Sequence, residues 1–247
     1  MNLLVPVSWL RDYLKTDIAA KTLATQLSLC GPSVERIEKH GDDLVFDVES
    51  TTNRLDSNSI YGLARESHAI LSWQGEKSSL TAPDGLNLSL HPDKGELATL
   101  DVKITNSKLC PRFSAIIMDN IQIKDSPALI KNRLEACGIR PINNIVDISN
   151  YVMLELGQPM HMFDYDKIKD AKMVLRESKK GESIRTLDSQ NRKLPEGTIV
   201  IEDAGRLVDL CGIMGGENSA VSSRTKRVIL FVQAYDPIKI RKTTQAM

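Results

Sequence analysis

Chemically capable side chains are densest in the run NNIVDISNYVMLELGQPMH at 143 to 161, where Asn144, Asp147, Ser149 and Asn150 stand among apolar neighbours and His161 follows the loop-forming triplet Gly157-Gln158-Pro159. Burying such donors and acceptors without partners costs about 1 to 3 kcal/mol each. The chain must therefore satisfy them, either as a structural network tying this run to adjacent loops or as the polar side of a site. A hydroxyl at Ser149 and an imidazole at His161 are the ingredients of a hydrolase, but no carboxylate-histidine-nucleophile arrangement is legible around them. The nearest acid, Asp164, comes three residues later.

A second candidate is the glycine-rich stretch Gly212-Ile213-Met214-Gly215-Gly216-Glu217-Asn218-Ser219. Glycines here let backbone N–H groups approach a ligand and take up unusual dihedrals. The stretch lacks the GxxxxGK[ST] of a phosphate loop and the GxGxxG of a dinucleotide site, so nucleotide binding by those routes is not expected, and no ATP site is recognisable. Two short basic clusters, Arg224-Thr225-Lys226-Arg227 and Lys239 to Lys242, have a solvated surface as their ordinary role and an RNA backbone as the alternative.

Composition narrows the classes. The 247 residues are 41% hydrophobic and 26% charged, enough for a real core in one large or two ordinary domains. Lys plus Arg (32) balances Asp plus Glu (32), so no global field draws in nucleic acid, and any RNA contact must be local. With only 4% aromatic residues, stacking platforms for unpaired bases are few. Cys30, Cys110, Cys137 and Cys211 form no CxxC pair and have no histidine at zinc spacing, which predicts reduced, buried thiols and no metal site. The N-terminus MNLLVPVSWLRDYLK lacks the parts of a secretion signal, and no apolar run approaches membrane-spanning length; the expected location is cytoplasmic.

The elements that would hold these residues are readable from periodicity. A strand LLVPV leads into a helical turn with Ser8 as N-cap; a helix follows over about 20 to 30, stopped by Gly31-Pro32; two strands at 33 to 39 and 44 to 48 flank a tight turn. A helix is expected over about 57 to 72, and falling apolar density with Gly and Pro from Gln74 to Lys94 sets a domain boundary there. Beyond it, strands at roughly 100 to 105 and 112 to 119 precede a helix opened by Ser126-Pro127 and closed by Gly138, and 143 to 154 has buried strand character. Strands at 174 to 176, 184 to 187, 197 to 202 and 228 to 232 and a helix opened by Asp236-Pro237 complete an α+β reading.

Three motifs, in order, carry a resemblance. TTNRLDSNSIYGLARE at 51 to 66 is similar to the TPNRxDxxSxxGxARE signature of the B1 module of the bacterial phenylalanine-tRNA ligase beta subunit. NNIVDISNYVMLELGQPMHMFD at 143 to 164 and LCGIMGGENSAVS at 210 to 222 resemble its B3/B4 module. The resemblance implies a B1-like domain at 1 to 80, a linker at 81 to 99 and most of a B3/B4 editing module at 100 to 247. Its cleft would hydrolyse tyrosine wrongly esterified to tRNA(Phe). In that family the attacking water is held by backbone groups, the substrate and a few side chains rather than by a strong base.

Ser149 matches a position usually held by Thr; Asn150, His161, Gly212 and Gly215 match the pocket; Phe231 stands where the family has a glutamate that recognises the tyrosine hydroxyl. That departure matters because polar recognition of a hydroxyl discriminates by on the order of 10⁴ to 10⁵, which an apolar wall does not. The resemblance also implies a parent heterotetramer with an alpha subunit, tRNA(Phe) as partner, and ATP and magnesium in the parent complex rather than in this chain; neither DNA nor a membrane is expected. The family pattern continues past Met247 with a segment completing the pocket, and only the link His40 to Asp43 stands where many bacterial members carry an inserted oligonucleotide-binding domain. The alternative is a non-catalytic structural or tRNA-contacting module with a degenerate pocket.

Overall fold

The computed structural model describes residues 2–85, 88, 89 and 91–247. The chain is α+β and divides into two compact units, one comprising residues up to His91 together with Asp125–Pro159, the other Pro92–Lys124 together with Met160–Met247. The linker expected at 81 to 99 includes positions 86, 87 and 90, which lie outside the described residues.

The first unit contains β1 (Asn2–Pro6), α1 (Val7–Tyr13), β2 (Leu14–Lys15), α2 (Ala20–Cys30), β3 (Ser33–His40), β4 (Asp43–Glu49), α3 (Ile60–Trp73), β5 (Ser79–Leu80), α4 (Ala128–Ala136) and α5 (Asn144–Leu156). Strand β4 is central in an antiparallel sheet ordered β1-β4-β3, and β2 pairs β5. The β3–β4 hairpin turns on two residues, because His40 faces Asp43; Gly41 at φ 59° takes the first central position, which a type II′ turn demands. Helix α1 starts one residue before the expected cap. Pro6 precedes it, and Ser8 instead donates from Oγ to Asp43 Oδ2 at 2.6 Å, so a carboxylate from the hairpin serves the exposed N–H groups of the first turn. Trp9, Leu10, Leu23, Leu27, Phe46, Ile60, Leu63 and Leu71 form the core, each burial stabilising by about 1.5 to 3 kcal/mol.

Three expectations are corrected in this unit. Helix α3 begins at Ile60, not 57: Ser59 caps it by accepting from Gly62 N at 2.9 Å, after a 3-10 turn at Leu55–Ser57. The run 143 to 154, expected as a buried strand, is helix α5. Asn143 Oδ1 accepts from Ile145 N and Val146 N at 3.1 Å each, and Gly157 at φ 83° ends the helix left-handed. Those caps outweigh the β-branched Ile145, Val146 and Val152, whose cost in a helix is only a few tenths of a kcal/mol, about 0.7 at most. Cys30 is exposed, contrary to the expectation of buried thiols, while Cys110 and Cys211 are buried.

The second unit contains β6 (Asp101–Ile104), β7 (Arg112–Met118), β8 (His161–Asp164), β9 (Lys172–Glu177), β10 (Ser183–Arg185), β11 (Asn191–Lys193), β12 (Ile199–Asp203), β13 (Arg206–Leu210), β14 (Met214–Gly215), β15 (Val228–Ala234) and α6 (Pro237–Ala246). One sheet has the order β14-β13-β12-β9-β6 and another β7-β15-β8, with β10 and β11 a separate hairpin. All pairs are antiparallel except β6 with β9. Phe163, Met173, Leu175, Ile199, Ile201, Val208, Ile229 and Phe231 build the core. Helix α6 opens as expected, Pro237 following an Asp236 that accepts from Ile238 N at 2.9 Å.

Candidate functional site

Site residues inferred from the sequence fall in both units: Ser149 and Asn150 on α5 of the first, His161, Gly212, Gly215 and Phe231 in the second. Within the first, the polar residues around Ser149 are largely accounted for. Ser149 Oγ donates to Val146 O at 2.7 Å inside its own helix. Asp147, fully buried, accepts from Ser126 Oγ at 2.5 Å and Ile142 N at 2.7 Å, which ties the segment entering α4 to the turn entering α5. Asn150 is half-buried on the same helix. The 51 to 66 motif is likewise structural: Arg54 binds Asp56 and Glu66 at 3.0 and 2.6 Å, and a Cβ on Gly62 would overlap the carbonyl oxygen of Asp56.

In the second unit the structure brings His161, Gly215 and Phe231 together. The central strand β15 sets Phe231 directly opposite His161 on β8. Side chains alternate along a strand, so Phe163 and Phe231 share the face that His161 occupies. The Phe163 and Phe231 rings stack at 4.6 Å between centroids; His161 meets both edge-on, at 4.8 and 5.8 Å. On the fourth side lies Gly215, where any Cβ would overlap His161 Nε2, with Leu187 alongside. Glycine at 215 is thus a steric requirement of the imidazole, not a conformational one.

His161 Nε2 is buried and has no hydrogen-bond partner. Desolvation pushes its pKa down to about 4, so at neutral pH the ring is uncharged, with one nitrogen donating and the other accepting. An uncharged, unpartnered imidazole nitrogen can hydrogen-bond a water or a substrate oxygen; the ring carries no spare proton at pH 7. Gly212 sits differently. At φ 69° its open side faces Tyr235 and Ile240 rather than the imidazole. The rest of the glycine-rich stretch is fixed to β13: Gly216 N and Ser219 Oγ donate to Val208 O at 2.9 and 3.0 Å, and Asn218 Nδ2 to Leu207 O at 2.9 Å. The N–H groups of Ile213, Gly216 and Ser219 are used inside the fold.

Sequence reasoning passed over one polar residue of this face. Gln233, two residues beyond Phe231 on β15, has a buried Nε2 without a partner, while its Oε1 accepts from Tyr235 Oη at 3.1 Å. A glutamine in an apolar strand run was the available signal. Among the described residues no cluster of three or more His, Cys, Asp or Glu could hold a metal ion, and no helix is long and apolar enough to cross a membrane.

Comparison with known proteins gives this geometry a family. The model of the B3/4 domain matches residues 109–247. The chain is 40% identical over 205 residues to the phenylalanine–tRNA ligase beta subunit of Dehalococcoides mccartyi, covering 83% of this chain and 24% of that subunit. It is 32% identical over 247 residues to the one from Rhodopirellula baltica, covering 99% of this chain and 35% of that subunit. A solved N-terminal fragment of the phenylalanyl-tRNA synthetase beta subunit from Pyrococcus horikoshii is a remote likeness, 15% identical with a TM-score of 0.48 over 97% of this chain and 70% of that one. The chain thus spans a quarter to about a third of the two beta subunits compared. With the domain model matching more than half of its residues, the chain belongs to the B3/4 domain family, in the company of phenylalanine–tRNA ligase beta subunits.

Proposed function

We propose that this chain is the N-terminal part of a phenylalanine–tRNA ligase beta subunit and that the His161 site hydrolyses tyrosine wrongly esterified to tRNA(Phe). The observation that carries the reading is the unpartnered, uncharged edge of His161 set beside an aromatic wall of Phe163 and Phe231. An aromatic wall suits an aromatic aminoacyl group, since offset and edge-to-face ring pairs gain about 0.5 to 1.5 kcal/mol beyond burial. In the reaction the oxygen of a water attacks the ester carbonyl carbon, the bond to the ribose oxygen breaks, and the water's proton ends on that ribose oxygen. His161 orients the water or the substrate through its neutral ring. Holding reactants in place is the main source of rate in a site without a strong base.

The parent complex of this reading includes an alpha subunit, with tRNA(Phe) as substrate and with ATP and magnesium serving aminoacylation outside this chain. Hydrolysis of the mischarged ester needs neither. A specific observation favours the second reading, a binding or structural module. Phe231 is almost wholly buried and stacked, so it fills space beside His161 with an apolar ring.

Deacylation of Tyr-tRNA(Phe) by the chain and by His161→Ala separates the two. The catalytic reading expects hydrolysis well above the uncatalysed rate and a loss of about 10² or more in the variant. Hydrolysis by the chain no faster than the uncatalysed rate would support the non-catalytic one.

A further inference from the structure

We propose that Gln233 is the specificity-determining residue of the His161 site and recognises a hydroxyl on the aromatic group bound there, an inference that rests on the function proposed above. Gln233 lies two residues beyond Phe231 on β15 and so on the same face of the sheet; His161 is directly opposite Phe231. Gln233 and His161 are therefore diagonal neighbours across the strand pair, about 7 to 8 Å apart. Phe113, opposite Gln233 on β7, closes the face, its ring 6.0 Å from that of Phe231.

Among the described residues, two polar atoms on this otherwise apolar face have no partner: His161 Nε2 and Gln233 Nε2. The amide is held in place rather than adrift. Tyr235 Oη donates to Gln233 Oε1 at 3.1 Å. The Tyr235 phenol thus holds one end of the glutamine amide. If the amide were turned the other way, Nε2 would meet the phenol and Oε1 would be the atom left over. In both orientations one polar atom of the amide is left buried without a partner.

A hydroxyl is the group that complements either orientation, because it donates and accepts; a carbonyl could only accept. The flanking rings of Phe113, Phe163 and Phe231 set the rest of the ligand as aromatic. The ligand class is a phenol. Phe231 itself offers no hydrogen bond, so the amide on the next position of that face supplies the polar contact.

The test compares deacylation of Tyr-tRNA(Phe) and Phe-tRNA(Phe) by the chain and by the near-isosteric Gln233→Met. The expected result is a fall of about ten- to hundredfold in kcat/KM for the tyrosyl ester, the cost of an unmade hydrogen bond to a buried group, with the phenylalanyl ester unchanged. An equal effect on both esters, or none on either, overturns the proposal. If the parent chain hydrolyses neither ester, the catalytic reading fails and the recognition is read directly from the ¹H–¹⁵N signals of the Gln233 amide. Free L-tyrosine shifting them while L-phenylalanine does not supports Gln233 as the phenol contact; identical responses to the two amino acids refute it. Because this second measurement uses the unsubstituted chain, misfolding of Gln233→Met does not remove the test.

Discussion

At the scale of single residues the site is defined by what is missing: a Cβ at 215 and partners for two polar atoms. Gly215 has an ordinary φ, so alanine there is not strained by its backbone; it collides with the imidazole. Either the ring leaves its aromatic cage or β14 moves. Gly215→Ala is expected to lower stability by about 1 to 3 kcal/mol, the usual range for an extra methyl in a packed interior. Its effect on Tyr-tRNA(Phe) hydrolysis should be larger, about 10²-fold, because a shift of about 1 Å at a positioning group is enough for that. Urea unfolding and deacylation measured together check it, and full activity in a destabilised variant would show that His161 is not the orienting group. His161 and Gly215 were legible from the motifs. Their collision was not, because it depends on a strand pairing that joins residues 161 and 231. Gly212 shows the limit of motif reading: the same stretch contains it, yet its open side meets Tyr235 and Ile240.

At the scale of elements, β13 and β14 carry an unusual charge problem. Asp209 faces Gly215 across that pair and is buried, and desolvation pushes its pKa up to about 7. Between the ordinary value of 3.8 and about 7 the folded chain holds a proton that the unfolded chain has released. Stability from this group is therefore full at low pH and falls by about 1.4 kcal/mol per pH unit across that window. His161 works in the opposite sense: its pKa is depressed from 6.5 to about 4, so its contribution is full above 6.5 and is lost as pH falls. The difference between the parent and Asp209→Asn isolates the first group from the second. Urea unfolding should show the stability of the variant relative to the parent rising between pH 5 and pH 8; parallel curves would mean that Asp209 is ionised in the folded chain throughout. Elements themselves were mostly readable, since Ala20–Cys30 and the strands around β12 follow simple apolar spacing. Helix α5 was not, because its apolar density and β-branched residues imitate a buried strand until the Asn143 and Gly157 caps are weighed.

At the scale of the whole molecule, the sequence suggests a cut near residues 81 to 99, whereas Asp125–Pro159 packs with the N-terminal region. Its attachment is extensive. Tyr151 stacks on Trp9 at 4.3 Å, Arg133 pairs with Asp12 at 2.5 Å and donates to Tyr151 Oη at 2.6 Å, and Tyr13 donates to Glu155. Cys137, Tyr151 and Leu154 complete the core built by residues 5 to 71. Partners more than a hundred positions apart leave no periodic trace, so contiguity in sequence was a poor guide to contiguity in space. A fragment of residues 100 to 247 would keep α4 and α5 but lose the surface that covers them, exposing Tyr151, Leu154 and Cys137 together. Such a fragment should bind a hydrophobic dye and unfold with a shallower urea dependence per residue than the full chain, since exposed apolar surface is the mark of lost specific packing. A fragment with sharp, dispersed amide signals and no dye binding would show instead that residues 125 to 159 fold against the C-terminal region, and that the compact unit follows the family module after all.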